Sequence, residues 1–381
     1  MSAKGFGRCL FTCIVSVGLL AANCLADSAE VLPKGISNLS VTSTYYLPID
    51  TEFGPGGDKE KVYADYTGLS IASLFGLDLG TTVIDFEYEY FYTYITYQYG
   101  LSDRVSIGLT IPFSRQKTDL GEARIDTSGG DAATLAFIGC SGVPGADDAC
   151  ATQFILDQLE TTLGYEWFET WSDSGIGDII AGLRYQYYRD EDWQLAFTGG
   201  ITFPTGEVDD PDNLLDTAFG NGAYVLNFHF NNDFKGIEDL VLNGTFRYEM
   251  VLPAKETLRV PPDVNIPITD VKERVDRDIG DTIELELSGK YSLSDTWSLG
   301  LVYKYGLGMK NRVSGDYPSL EDETDYIEHV YTVDISYSTV SLYMDKKFSV
   351  PMAASLAYRD RFAGENANNS QYLAFGLSVY F

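Results

Sequence analysis

The chain ends on QYLAFGLSVYF, Gln371 to Phe381, in which Leu373, Phe375, Leu377, Val379 and Phe381 alternate with Tyr372, Ala374, Gly376, Ser378 and Tyr380. Successive side chains of a strand point to opposite faces, so this period of two yields one wholly apolar face. Such a strand belongs either half-buried in a soluble sandwich or in the lipid-facing wall of a membrane barrel. After residue 26 no stretch approaches the roughly 18 apolar residues that a spanning helix requires. A closed barrel is the other structure whose backbone groups are all satisfied in lipid.

The connections favour the barrel. Asn38 to Ile49 reads as a first strand. Thr82 to Tyr99 turns at Gly100 to Arg104 into Val105 to Ser114, where Val105, Ile107, Leu109, Ile111 and Phe113 face out against Ser106, Gly108, Thr110, Pro112 and Ser114. The same construction recurs at Ile179 to Phe203, Ile283 to Tyr305 and Tyr331 to Tyr358, and more loosely at Tyr224 to Met250. Long segments separate these hairpins, at 115–176, 205–220, 251–281, 309–327 and 360–370. Short turns on one side and long loops on the other are the asymmetry of an outer-membrane barrel, whereas a sandwich has no reason for it. The count is about twelve antiparallel strands, or fourteen if Val62 to Leu79 contributes. Tyr99, Tyr187, Trp193, Tyr291, Trp297 and Phe348 flank the short turns, as an interfacial girdle would. The final strand, closing on Phe381, also resembles the signal by which outer-membrane proteins engage their insertion machinery, which implies that machinery as a partner of Gln371 to Phe381.

Residues 1–26 read as a cleaved secretory signal: Lys4 and Arg8, an apolar run from Leu10 to Ala22, and Ala26 before Asp27. Leu20 to Cys24 loosely resembles a lipoprotein box, with Asn23 where a small residue is wanted. The remainder, 27–381, is expected to be one barrel domain. Removing Lys4 and Arg8 from 26 basic residues, against 56 acidic ones, takes the net charge from −30 to −32. Nucleic acid and anionic lipid both need clustered Lys and Arg, so a nucleic-acid partner is not expected. Of five cysteines, Cys9, Cys13 and Cys24 lie in the signal; Cys140 and Cys150 bracket SGVPGADDA and are expected to form a local disulfide in an exported chain.

With the apolar faces outward, the opposite faces line a lumen: Glu87, Glu89, Arg184, Arg247, Glu249, Glu284, Glu286, Lys290, Lys304, Asp334 and Arg359. A lipid-facing Arg or Lys costs about 2 to 4 kcal/mol at mid-depth, so each is expected to point inward. Opposed charges across a lumen select small polar solutes. Small inward residues (Gly182, Thr198, Gly200, Gly300, Gly308, Ala353 and Ser355) argue for an open or gated channel over an interior plugged by ion pairs. Thr152 to Leu163 has helical spacing, expected to cap a loop rather than constrict the mouth; Pro253 to Arg277 reads as a draped loop. The acidic runs Glu207 to Asp212 and Glu321 to Asp325 lack calcium-loop spacing, and no metal or other cofactor is expected. His229 faces inward beside Asn227 without a nucleophile motif, and His329 completes the histidines, so catalysis is not expected.

GIGDIIAGLRYQYYRDEDWQLAFTGGITFPTGE, Gly175 to Glu207, resembles the recurring G-x-GD, strand, turn, strand, P-T-G pattern of the outer-membrane family named for the phenol-degradation meta-pathway. YGLSDRVSIGLTIPF, Tyr99 to Phe113, is similar to that family's preceding hairpin. The resemblance implies an outer-membrane barrel that passes small, often aromatic, hydrophobic compounds, and hands over no ligand residue. The expectation is a porin-like channel for small solutes in a bacterial outer membrane, contacting its lipid and lipopolysaccharide. The alternative is a non-conducting barrel whose acidic loops bind a partner, a cation or lipopolysaccharide.

Overall fold

The computed structural model describes residues 27–261 and 268–381; the expected signal lies outside them. Twelve antiparallel strands close into a barrel. They are β1 (Ser37–Tyr46), β2 (Thr81–Ser102), β3 (Val105–Asp126), β4 in two parts (Trp171–Ile176 and Ile179–Arg189), β5 (Trp193–Phe203), β6 (Val225–Ile237), β7 (Leu240–Val251), β8 (Thr282–Ser292), β9 (Trp297–Gly308), β10 (Tyr326–Ser338), β11 (Met352–Glu365) and β12 (Gln371–Tyr380). Each pairs with its chain neighbour, and β1 shuts the ring by pairing with both β2 and β12, in the registers Val41 to Ile95 and Val41 to Leu377. No helix among the described residues is long and apolar enough to cross a membrane.

Alternation decides which face is which. On β3, Ile107, Leu109 and Phe113 are exposed on the outer wall while Ser106, Thr110 and Ser114 are buried inside. On β12, Leu373, Phe375 and Leu377 look out and Tyr372 and Ala374 look in. Leaving such residues bare costs about 25 cal/mol per Å² in water, and a hydrocarbon surround removes that cost. Tyr187, Trp193, Tyr291, Trp297 and Phe348 ring the short-turn side on the outside.

The expected hairpins are present, with three differences. Val62 to Leu79 supplies no barrel strand, which excludes fourteen: Lys59–Lys61 pairs with Thr51–Phe53 outside the barrel sheet, and Ile71–Phe75 forms a short helix, α1. Within Pro253 to Arg277, Ala254–Arg259 pairs with Lys272–Asp278 as a hairpin rather than a draped loop; 262–267 lie outside the described residues. And β2 and β3 each run 22 residues. At about 3.3 Å per residue they far outreach a ~25 Å apolar band, so their upper parts stand outside the membrane and carry the loops.

Those loops make a second core. After α2 (Ala132–Phe137), α3 (Asp148–Thr161) buries Ala151 and Ile155 against Ile71, Leu79, Ile125 and Leu135. The expected helix at Thr152 to Leu163 is thus present and starts four residues earlier. Cys140 and Cys150 are bonded, Cα to Cα 5.8 Å, and fasten the α2–α3 connection as expected.

Candidate functional site

The interior divides into an upper apolar compartment, on the loop side, and a lower charged one. The upper compartment is a cavity of about 230 Å³ walled by Phe86 and Tyr88 of β2, Ile125 of β3, Ile71 of α1, Ile155 and Leu159 of α3, and Leu215 and Leu258 from the long loops. Its roof is pinned by Arg259. This guanidinium donates to the carbonyls of Leu163, Gly164, Pro211 and Thr269 and to the Asp212 carboxylate, and stacks 3.6 Å over the Tyr165 ring. Five donors in a fixed fork let one arginine hold three loops together.

One side of the cavity is polar. Asp209 and Asp216 are adjacent in its lining, buried, and hydrogen-bonded side chain to side chain. Burial, reinforced by the Asp216 charge, holds the Asp209 carboxyl well above the usual range. Burial also pushes Asp216 up to about 6, against the Asp210 backbone N–H that stabilises its charged form. Two facing carboxyls in an apolar site cannot both ionise cheaply, so the pair keeps a proton. Beside them the Arg277 guanidinium pairs with Glu256.

Below the cavity a tyrosine wall descends β2: Tyr88 and Tyr90 are stacked at 5.8 Å, Tyr92 and Tyr94 at 6.2 Å, and Tyr46 meets Tyr372 at 4.9 Å. These rings face inward, and Glu87 and Glu89 therefore face out. That corrects their expected place in the lumen. The acids Asp85, Glu87 and Glu89 share the face opposite the tyrosines, and polarity marks the lumen only within the membrane; these carboxylates belong to the upper part of the strand, where an outward charge is solvated. Lys117 Nζ lies 3.0 Å from Glu89 and 2.8 Å from Asp119, which satisfies the outward carboxylates that otherwise form a metal-sized group.

The other expected lumen residues do turn inward. Arg247 binds Glu284 at 2.9 Å and Glu286 at 2.8 Å; Lys304 spans Glu284 and Glu328, 2.7 Å each; Arg361 and Arg359 reach Glu328 at 2.7 and 3.7 Å. Arg184, Glu249 and Asp334 are buried and Lys290 is half-buried on the same inward register. Glu328 and Arg361 lie beyond the hairpin ends expected from the sequence, Tyr331 and Tyr358, on strands that run further toward the loops. Several small inward residues serve these groups rather than a bore: a Cβ on Gly300 would collide with the Asp334 carboxylate, and one on Gly308 with the Tyr326 ring.

The lower compartment holds one occupant that the strand pattern gave no hint of. Residues 27–34 run inside the barrel from its short-turn rim, where the Lys34 N–H donates to Asp103 and the Leu32 N–H to Ser106 Oγ. At the inner end the Asp27 carboxylate is fully buried, 2.5 Å from Arg184, 2.8 Å from His229 Nδ1 and 3.4 Å from Arg247. The expected inward placement of His229 therefore holds, and its partner is a carboxylate rather than a nucleophile. Asp233 accepts from Ser28 Oγ and the Ala29 N–H, and Glu30 pairs with Lys235.

Among solved structures, an outer membrane channel of Pseudomonas putida F1 matches at a TM-score of 0.58 and 13% identity, over 93% of this chain and 98% of that one. A FadL homologue of Pseudomonas aeruginosa (TM-score 0.38, 11% identity, 100% and 98% covered) and the toluene transporter TbuX of Ralstonia pickettii (0.38, 11%, 99% and 99%) also match. No curated protein matches the sequence. The family model described as putative MetA-pathway of phenol degradation matches residues 80–328, well over half of the chain, and this outer-membrane barrel belongs to that family.

Proposed function

We propose that the protein is a channel that admits small, mainly apolar, ring-bearing compounds, which it first takes up in the loop-side cavity. The observation that carries this reading is the cavity itself: a dry apolar space of about 150 Å³ accommodates benzene, and this one measures about 230 Å³ with mostly aliphatic and aromatic walls. Burying a one-ring solute there is favourable by about 25 cal/mol per Å² of its apolar surface. The tyrosine wall continues downward from the cavity and offers further ring faces. The family's description, phenol degradation, concerns chemistry of the same solute class. The ion-paired lower lumen supports a gated rather than freely open path. Proteoliposomes carrying the refolded protein should take up a one-ring aromatic faster than protein-free vesicles, and Ile155→Glu should remove the gain. Equal uptake with and without protein would refute the proposal.

A further inference from the structure

A sequence expectation and a structural observation meet at Asp27. In the sequence, the expected export signal closes on the small residue Ala26, which would make Asp27 the first residue after cleavage. In the structure, the Asp27 backbone nitrogen is buried and donates to Glu286 Oε1 at 2.8 Å, while Glu286 Oε2 takes Arg247 at 2.8 Å. We propose that the α-ammonium group freed by cleavage between Ala26 and Asp27 binds Glu286 in the lumen, so that export processing itself makes the stopper of this barrel.

The chemistry is a simple exchange. Hydrolysis of the Ala26–Asp27 peptide bond leaves a carboxylate on the departing segment and an amine on Asp27, which takes up a proton near neutral pH, where α-amines titrate at about 8. A neutral amide donor to a carboxylate thereby becomes a cation, and a charge-assisted hydrogen bond is roughly twice as strong as a neutral one. In a buried site the gain is larger still, because water is not there to screen it. Asp27 then carries both charges of a zwitterion, each with an opposite partner: its ammonium on Glu286 and its carboxylate on Arg184 and Arg247. No residue inside a chain can be held in this way.

The test uses protein extracted from outer membranes. Mass spectrometry of its first peptide should show a free amine on Asp27. A water-soluble acylating reagent at neutral pH should label that amine about tenfold or more slowly in the folded barrel than after heat unfolding, as expected for a buried, ion-paired amine. Glu286→Gln should restore labelling to the unfolded rate and raise single-channel conductance. A different first residue, a lipid on Cys24, or equal labelling of folded and unfolded wild type would overturn the proposal. If Glu286→Gln does not assemble, the wild-type ratio decides alone.

Discussion

The two halves of this barrel are built on opposite principles. The loop-side half is held by apolar packing of α1 and α3 and by tyrosine rings, with a space left in the middle; the lower half is filled by a buried net of Arg, Lys, Asp and Glu. Apolar contacts are non-directional and tolerate a vacancy that a ring-bearing solute can fill. Buried charges tolerate none, because each must find its partner or pay for desolvation. One fold thus separates recognition from closure by placing them in different kinds of interior.

The sharpest way to break that contrast is to attack the charged half. Arg247→Met leaves Asp27, Glu284 and Glu286 short of a cation, and removing one member of a buried pair costs about 3 to 5 kcal/mol. The expected result is expulsion of residues 27–34 and a rise in single-channel conductance, whereas an unchanged conductance would mean that the charge net does not close the path. In the upper half, Cys150→Ser opens a ten-residue loop, worth about 2 to 3 kcal/mol by loop-closure entropy. Limited proteolysis should then nick the α2–α3 connection while the barrel stays heat-stable. A substitution within the cavity should act more gently: Leu159→Ala removes wall area and should weaken uptake of a one-ring solute about tenfold or less, with conductance unchanged. Equal damage to both readouts would merge the two compartments.

The smallest effect comes from acidity at the roof. Asp209 is raised and Asp216 lies at about 6 in the folded loop, against about 3.9 for an unfolded Asp. A raised folded value means that the contribution to loop stability is complete below pH ~4 and is lost as pH climbs through about 6. Hydrogen exchange of residues 207–219 should therefore quicken between pH 5 and pH 8 beyond its intrinsic pH dependence, and Asp209→Asn should flatten that excess.

Much of the wall was legible from alternation alone, because a period of two is unmistakable where only one face is apolar, as in Val105 to Phe113 and Leu373 to Phe381. It failed on the upper part of β2, where Phe86, Tyr88, Tyr90 and Tyr92 share one face and Phe91 and Ile95 the other. There the acids Asp85, Glu87 and Glu89 mark the outward face, because above the membrane an outward charge is solvated and polarity no longer points to the lumen. The cavity was illegible for another reason: Leu215, Leu258 and Ile155 come from three segments distant in sequence, brought together by Arg259, most of whose hydrogen bonds are to backbone carbonyls that leave no trace in residue type. Residues 27–34 carry no periodic pattern, and only a three-dimensional arrangement shows that their carboxylates match Arg184 and Lys235.

The seam between the first and last strands sets an order of events. Ser37 and Phe381 exchange backbone hydrogen bonds across it, so the cylinder has no complete circumference until β1 and β12 have met. The leading segment is joined directly to that seam. Whatever holds that segment inside therefore acts within a few residues of the place where the wall is sealed.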